Sequence, residues 1–284
     1  MNKEDFYIGW QHAAPAGFVK HIKKVLIALL LMILSLAVVL GLNQKKFDTG
    51  NFEFGKITEV KGIYSNNPIP LLKIPGEKDL SGNYSTITIP LIGFGKFGAQ
   101  TVMENLEKKA GISLLDKEIV LKGTLLYNDG KLLMQVEEKD NYNLKLNNKS
   151  IPERRHIQED SVSTELKGEI VDPKCFFGVM KPGEGKVHKD CAIRCILGGI
   201  PPVLRVRDQY GNSSYYIIAG KDGKPINKQL KSFIGEPVSV AARVVIQDDW
   251  KILLTEPANI RYISRRELVY SGSQTISCTD YCKQ

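Results

Sequence analysis

Sulfur and imidazole are scarce in this chain: 284 residues hold five cysteines and four histidines. The few that exist do not fall into the commoner patterns. There is no CxxC pair matched by a second CxxC, which excludes a zinc ribbon, and no CxxCH for covalent haem. A Rieske cluster needs a second histidine that the sequence does not place nearby. Concentrated positive charge is also missing. The net charge of +8 is spread along the chain rather than gathered into a stripe, so it reads as solubility and membrane-flanking lysines, not as a nucleic-acid partner. No serine or cysteine has the base and orienting group that mark an activated nucleophile. Gly93, Gly95 and Gly98 in GFGKFG have the spacing of G-x-G-x-x-G, but no Rossmann βαβ unit surrounds them. That run is read as a structural turn, with an anion at the following helix start as the weaker reading.

What is present is local. The stretch 172–202, DPKCFFGVMKPGEGKVHKDCAIRCILGGIPP, gathers Cys175, His188, Cys191 and Cys195 in the spacing C-x12-H-x2-C-x3-C. Four donors of this kind are what a tetrahedral Cys3His metal site requires, with zinc or copper as the ion. VMKPGEGK is rich in Gly and Pro, so the backbone turns back toward Cys175. The run from His188 reads as a short helix stopped by Gly198 and Gly199, with residues three and four apart on one face. His188 and Cys195 are two turns apart, roughly 10 Å along a helix axis. One ion reaches both only if the helix begins after His188 or the side chains converge. Two other readings stay open: a disulfide from Cys175 to Cys191 or Cys195, and a packed helix with no ligand. An odd number of cysteines leaves one thiol over if the rest pair. Asp172 and Glu184 are candidates to orient a metal-bound His188. Cys278 and Cys282 read as a tail disulfide or exposed thiols, and His156 as solvated.

Residues 25–42, VLIALLLMILSLAVVLGL, carry no charge and are long enough to span a bilayer as a helix. The polar segment 1–24 ahead of it is too long for a secretory signal, and no small-x-small site follows. Lys20, Lys23 and Lys24 precede the run, against Lys45 and Lys46 after it. That bias gives a cytoplasmic 1–24 and an exported bulk, as in a bacterial inner membrane protein. Tyr7 and Trp10 lie too far upstream to anchor the helix.

The remainder alternates like β-strands. Residues 51–140 read as strand-strand-strand-helix-strand-strand, the order of an OB-like barrel. Its helix carries Val102, Leu106 and Ala110 and is closed by Gly111. Its last hairpin turns at Asn128-Asp129-Gly130. The polar stretch 141–163 reads as a linker. The same order returns in 164–263, where the cysteine stretch is inserted after the first strand and a short helix is expected around INKQLKSFIG. TEVKGIYS echoes TELKGEIV, and PIPLLKIP echoes IPPVLRVR, which points to an internal duplication. Residues 264–284 read as a tail. The adjacent Tyr215 and Tyr216 face opposite sides of their strand, which argues against base stacking. The fold class expected is therefore mainly β: a transmembrane helix, then two tandem OB-like barrels, each with one short helix.

The cysteine stretch resembles the signature of a family of bacterial membrane-anchored proteins of uncharacterised activity, with the core C-x12-H-x2-C-A-x2-C followed by GGIPP. FEFG, GFGKFG and LKGTLLYNDGK are similar to the first half of its longer members. The resemblance implies that the stretch is one functional unit. The combined expectation is a membrane-anchored accessory protein, more a complex subunit than an enzyme. The competing expectations are a disulfide-pinned interaction protein and a thiol-redox enzyme.

Overall fold

A computed structural model describes residues 14–43, 50–78, 84–142, 144–147 and 157–270. The apolar run forms helix α1, Ala16–Asn43, which extends upstream over Lys20, Lys23 and Lys24. At 28 residues it is about 42 Å long, against a hydrocarbon core of about 30 Å. None of its residues is buried. The helix is long and apolar enough to cross a membrane.

The rest is a separate compact unit built from two closed five-stranded barrels. The first uses β1 (Asn51–Phe52), β2 (Thr58–Asn66), β3 (Pro70–Lys78), β4 (Tyr84–Ile92), helix α2 (Gln100–Ala110), β5 (Glu118–Asn128), β6 (Lys131–Val136) and β7 (Lys145–Asn147). Strands β5, β2, β3, β4 and β6 follow one another around it, and β5 pairing with β6 closes the ring. The β4–β6 pair is the parallel one. Gly111 ends α2 in the left-handed conformation, its N–H bonded to Glu107 O. Asp129 and Gly130 both have positive φ at the β5–β6 hairpin, as its turn requires.

The second barrel repeats this plan with β8 (Ile157–Val171), helix α3 (Lys189–Leu197), β9 (Val203–Arg207), β10 (Ser213–Gly220), β11 (Pro237–Gln247), β12 (Trp250–Thr255) and β13 (Ile260–Tyr262). The ring runs β8, β9, β10, β12, β11, and β10–β12 is its parallel pair. The two sequence echoes fall on equivalent strands, β2 with β8 and β3 with β9. Gly62 and Gly168 share a further property. A Cβ on either would run into the carbonyl of the neighbouring strand, Lys73 O in one barrel and Arg205 O in the other. Both glycines allow the first strand of a barrel to pass close over the second.

Three details differ from the sequence reading. Residues 226–233 form successive turns rather than a helix, with the N–H groups of Gln229, Lys231 and Phe233 bonded three residues back; the short helix of this barrel is α3, inside the cysteine stretch. The stretch 141–163 contains β7 and the start of β8, which pair with β5 and β11 because their backbones complete open edges of those strands. The region after 263 begins with helix α4, Arg265–Tyr270. Ser264 and Glu267 cap it reciprocally through Glu267 N–H to Ser264 Oγ and Ser264 N–H to Glu267 Oε2.

Each barrel has its own interior: Leu72, Ile89, Met103 and Leu121 in the first, Leu166, Tyr216, Val240 and Leu253 in the second. A third cluster lies between them. It joins Ile69, Leu71, Ile92, Leu126 and Leu133 to Phe176, Phe177, Tyr215, Trp250 and the cysteines. Trp250 is fully buried there and donates from Nε1 to Thr88 O at 2.9 Å. Tyr215 donates to Asp129 Oδ2 at 2.6 Å. The barrels are thus fused through a common core, and the cysteine stretch is part of it.

Candidate metal centre

Strand β8 ends at Val171, and Asp172 turns the chain. Its carboxylate accepts the N–H of Lys174 at 2.9 Å, and its carbonyl accepts the N–H of Phe176. This fixes a single π-helical turn, Cys175–Val179, closed by Met180 N–H to Cys175 O. The turn is held by its aromatic residues. Phe176 and Phe177 pack against the Tyr215 ring at 5.9 and 5.2 Å between centroids, and the Arg205 guanidinium stacks on Phe176 at 4.3 Å. The Gly-Pro loop then comes back across β8, where Gly185 N–H bonds Glu169. Glu184 is occupied by Arg205 and Arg207.

Helix α3 begins at Lys189, so His188 precedes it as the N-cap residue. This resolves the spacing difficulty, because the imidazole leaves the backbone before the helix starts. Cys191 and Cys195 follow one turn apart on one face. Asn227 secures the far end through bonds to Ile196 O and Ile200 O at 2.7 and 2.9 Å.

All four predicted ligands meet around Cys175, as two overlapping groups of three rather than one group of four. The donor atoms of Cys175, His188 and Cys191 lie within 4.8 Å of one another, and so do those of Asp172, Cys175 and Cys195. Asp172, Cys175, His188 and Cys195 are buried, and Cys191 is half-buried. The three cysteines are free thiols. Cys175 Sγ and Cys191 Sγ are 4.0 Å apart, about twice the length of a disulfide bond. Cys278, Cys282 and His156 lie outside the described residues.

Two polar atoms of the cluster, His188 Nε2 and Asp172 Oδ2, are buried without a hydrogen-bond partner. Such atoms cost about 1–3 kcal/mol each when left unsatisfied, and a missing ion is one of the standard reasons for them. The donor chemistry fits that reason: sulfur and imidazole with one carboxylate. A hydrogen bond with Cys195, burial and the Asp172 charge push the Cys175 thiol up. Burial holds the His188 imidazole below its usual range, with Asp172 opposing.

The first barrel closes the site. Its GFGKFG loop, 93–98, lies against α3: Gly98 N–H bonds Gly198 O at 3.0 Å, and a Cβ on Gly98 would collide with Gly199 O. Lys96 reaches over with Nζ 3.0 Å from Cys191 Sγ. That bond keeps the ammonium protonated above its ordinary value and sets a positive charge against the sulfur. From the other side the buried Lys174 donates to Gly93 O and Gly95 O at 2.9 and 2.8 Å. The loop is structural, as its sequence context implied, but its contact with the cysteine stretch was not foreseen. Glu184 is not the partner of His188, because the two arginines hold it. Asp172 belongs to the cluster itself, its carboxylate lying among the donors with Cys175 and Cys195.

Neither a protein-family model nor a curated protein matches this sequence. What the fold and site define is a class: a two-barrel body with a buried Cys/His cluster, preceded by one membrane-length apolar helix.

Proposed function

We propose that this chain is a single-pass, membrane-anchored accessory protein whose two-barrel body binds a metal or redox centre through Cys175, His188, Cys191 and Cys195. One observation carries the reading. Buried thiols, a buried imidazole and a buried carboxylate converge on Cys175 and leave two polar atoms unpaired. A structural core would fill such a place with apolar side chains. The ion is zinc or copper, since thiolate and imidazole ligands suit both. Asp172, Cys175, His188 and Cys195 are buried, which leaves little access for a substrate, so a structural or electron-transfer role is favoured over hydrolysis. Lys20, Lys23 and Lys24, which lie in α1 ahead of its apolar run, favour a cytoplasmic N-terminus and an exported body in a bacterial inner membrane. A membrane protein complex is the proposed partner.

The experiment is metal analysis of the full chain, purified in mild detergent without chelator, with free thiols counted in parallel. Bound ion that disappears in Cys175→Ser supports the reading. An ion-free chain that also takes up none on loading overturns it. One contact favours a second reading, a thiol-redox enzyme: Lys96 beside the half-buried Cys191. That reading requires Cys191 to alkylate faster than an ordinary thiol near neutral pH, and loss of that advantage in Lys96→Ala.

A further inference from the structure

We propose that the cluster is a two-ion centre, with the Cys175 thiolate bridging two Cu(I) ions. This rests on the metal-site reading above and adds the number of ions and their kind. Cys175 is the member common to both groups of donors. The outer group, with His188 and Cys191, faces the half-buried side. The inner group, with Asp172 and Cys195, is enclosed.

Each group contains one residue with an unpaired buried atom, His188 (Nε2) in the outer and Asp172 (Oδ2) in the inner. An ion in the outer group alone would satisfy His188 and leave Asp172 Oδ2 stranded. An ion in the inner group alone would do the reverse. Two ions satisfy both, and a thiolate sulfur has enough lone pairs to bind two soft ions at once.

The donor count identifies the ion. Each position has three donors, whereas zinc in a structural site is almost always held by four. Cu(I) is soft, accepts fewer ligands and is selected by thiolates. The charge agrees. Once the thiol protons have passed to solvent, three thiolates and Asp172 carry four negative charges. Lys96, 3.0 Å from Cys191 Sγ, and Lys174, next to Cys175 in the chain with its ammonium held by Gly93 O and Gly95 O, return two. Two monovalent ions complete the neutralisation of this buried set, and two divalent ions would overshoot it. No oxidation step is involved.

The test is an anaerobic titration of the reduced full chain in detergent with Cu(I), in competition with a chromogenic Cu(I) chelator. The expected saturation is two ions per chain. Asp172→Asn and Cys195→Ser should each halve it by removing the inner position, and His188→Ala should halve it by removing the outer. Cys175→Ser should abolish tight binding at both. Saturation of the wild-type chain at one ion overturns the two-ion centre and leaves the metal-site reading standing. No uptake at all overturns both. Far-UV circular dichroism checks each variant for folding; if Cys175→Ser does not fold, the wild-type stoichiometry and the three halving variants still decide.

Discussion

Lys174 is a buried ammonium ion held by two glycine carbonyls of the other barrel. Burial depresses its affinity for a proton, yet the two bonds keep it useful as a clamp. Hydrogen bonds to a charged donor are worth about 1.5–3 kcal/mol each. Lys174→Met, which keeps the length and loses both bonds, should therefore destabilise the body by about 3 kcal/mol, read from the urea midpoint at unchanged slope. Glu169 offers a pH test. Burial raises its carboxyl above the ordinary value, more than the Gly185 N–H bond lowers it. The folded state thus binds a proton more tightly than the unfolded chain. The stability gained this way is full below the unfolded value and is lost as pH rises through the folded one. Glu169→Gln stays neutral and can still accept from Gly185 N–H. Its midpoint relative to wild type should rise between pH 4 and pH 8, and a pH-independent difference would contradict the assignment. Neither lysine of the site was legible in the sequence. Lys96 and Cys191 are 95 residues apart, and no local pattern announces such a contact.

At the scale of elements, the strands and α2 were legible because alternation, Gly111 and Asp129-Gly130 are local signals. The cysteine stretch was legible for the same reason, its donors lying within one short segment. The turn-rich 226–233 was misread as a helix because its apolar residues, Ile226, Leu230 and Phe233, have helical spacing. That spacing is met equally by a chain of turns whose apolar side chains cap the barrel core. Asp172 was named only as a group to orient His188; its place among the clustered donors escaped because nothing in the sequence distinguishes a carboxylate that faces the thiols from one that backs the imidazole. The π turn of the cysteine stretch is anchored by Phe177, fully buried against Tyr215. Phe177→Ala should cost about 3–5 kcal/mol and should loosen Cys175 with it. The checks are a lowered melting temperature and faster alkylation of Cys175, and a variant as stable as wild type would show that the turn does not depend on this anchor.

For the whole molecule, the sequence presented two barrels with a polar stretch between them. Fold class and duplication were readable, but the fusion was not, since it depends on outward-facing residues such as Leu71, Leu126 and Trp250 that look like ordinary strand residues. Their common core predicts one cooperative unfolding transition for the two-barrel body. Trp250 reports on the junction, and Trp10 can be changed to Phe to leave it as the sole tryptophan. Fluorescence and far-UV circular dichroism should then give coincident denaturation curves. Separated curves would mean that the barrels unfold independently. The fusion also explains why the site is built where it is: donors from one barrel's insert are closed over by a loop of the other.

The most direct test of the metal centre is an X-ray absorption spectrum of the full chain after metal loading. The account predicts a first shell containing sulfur, near 2.3 Å if the ion is zinc, and loss of that sulfur signal in Cys175→Ser. A shell of oxygen and nitrogen alone, indifferent to Cys175, would contradict it.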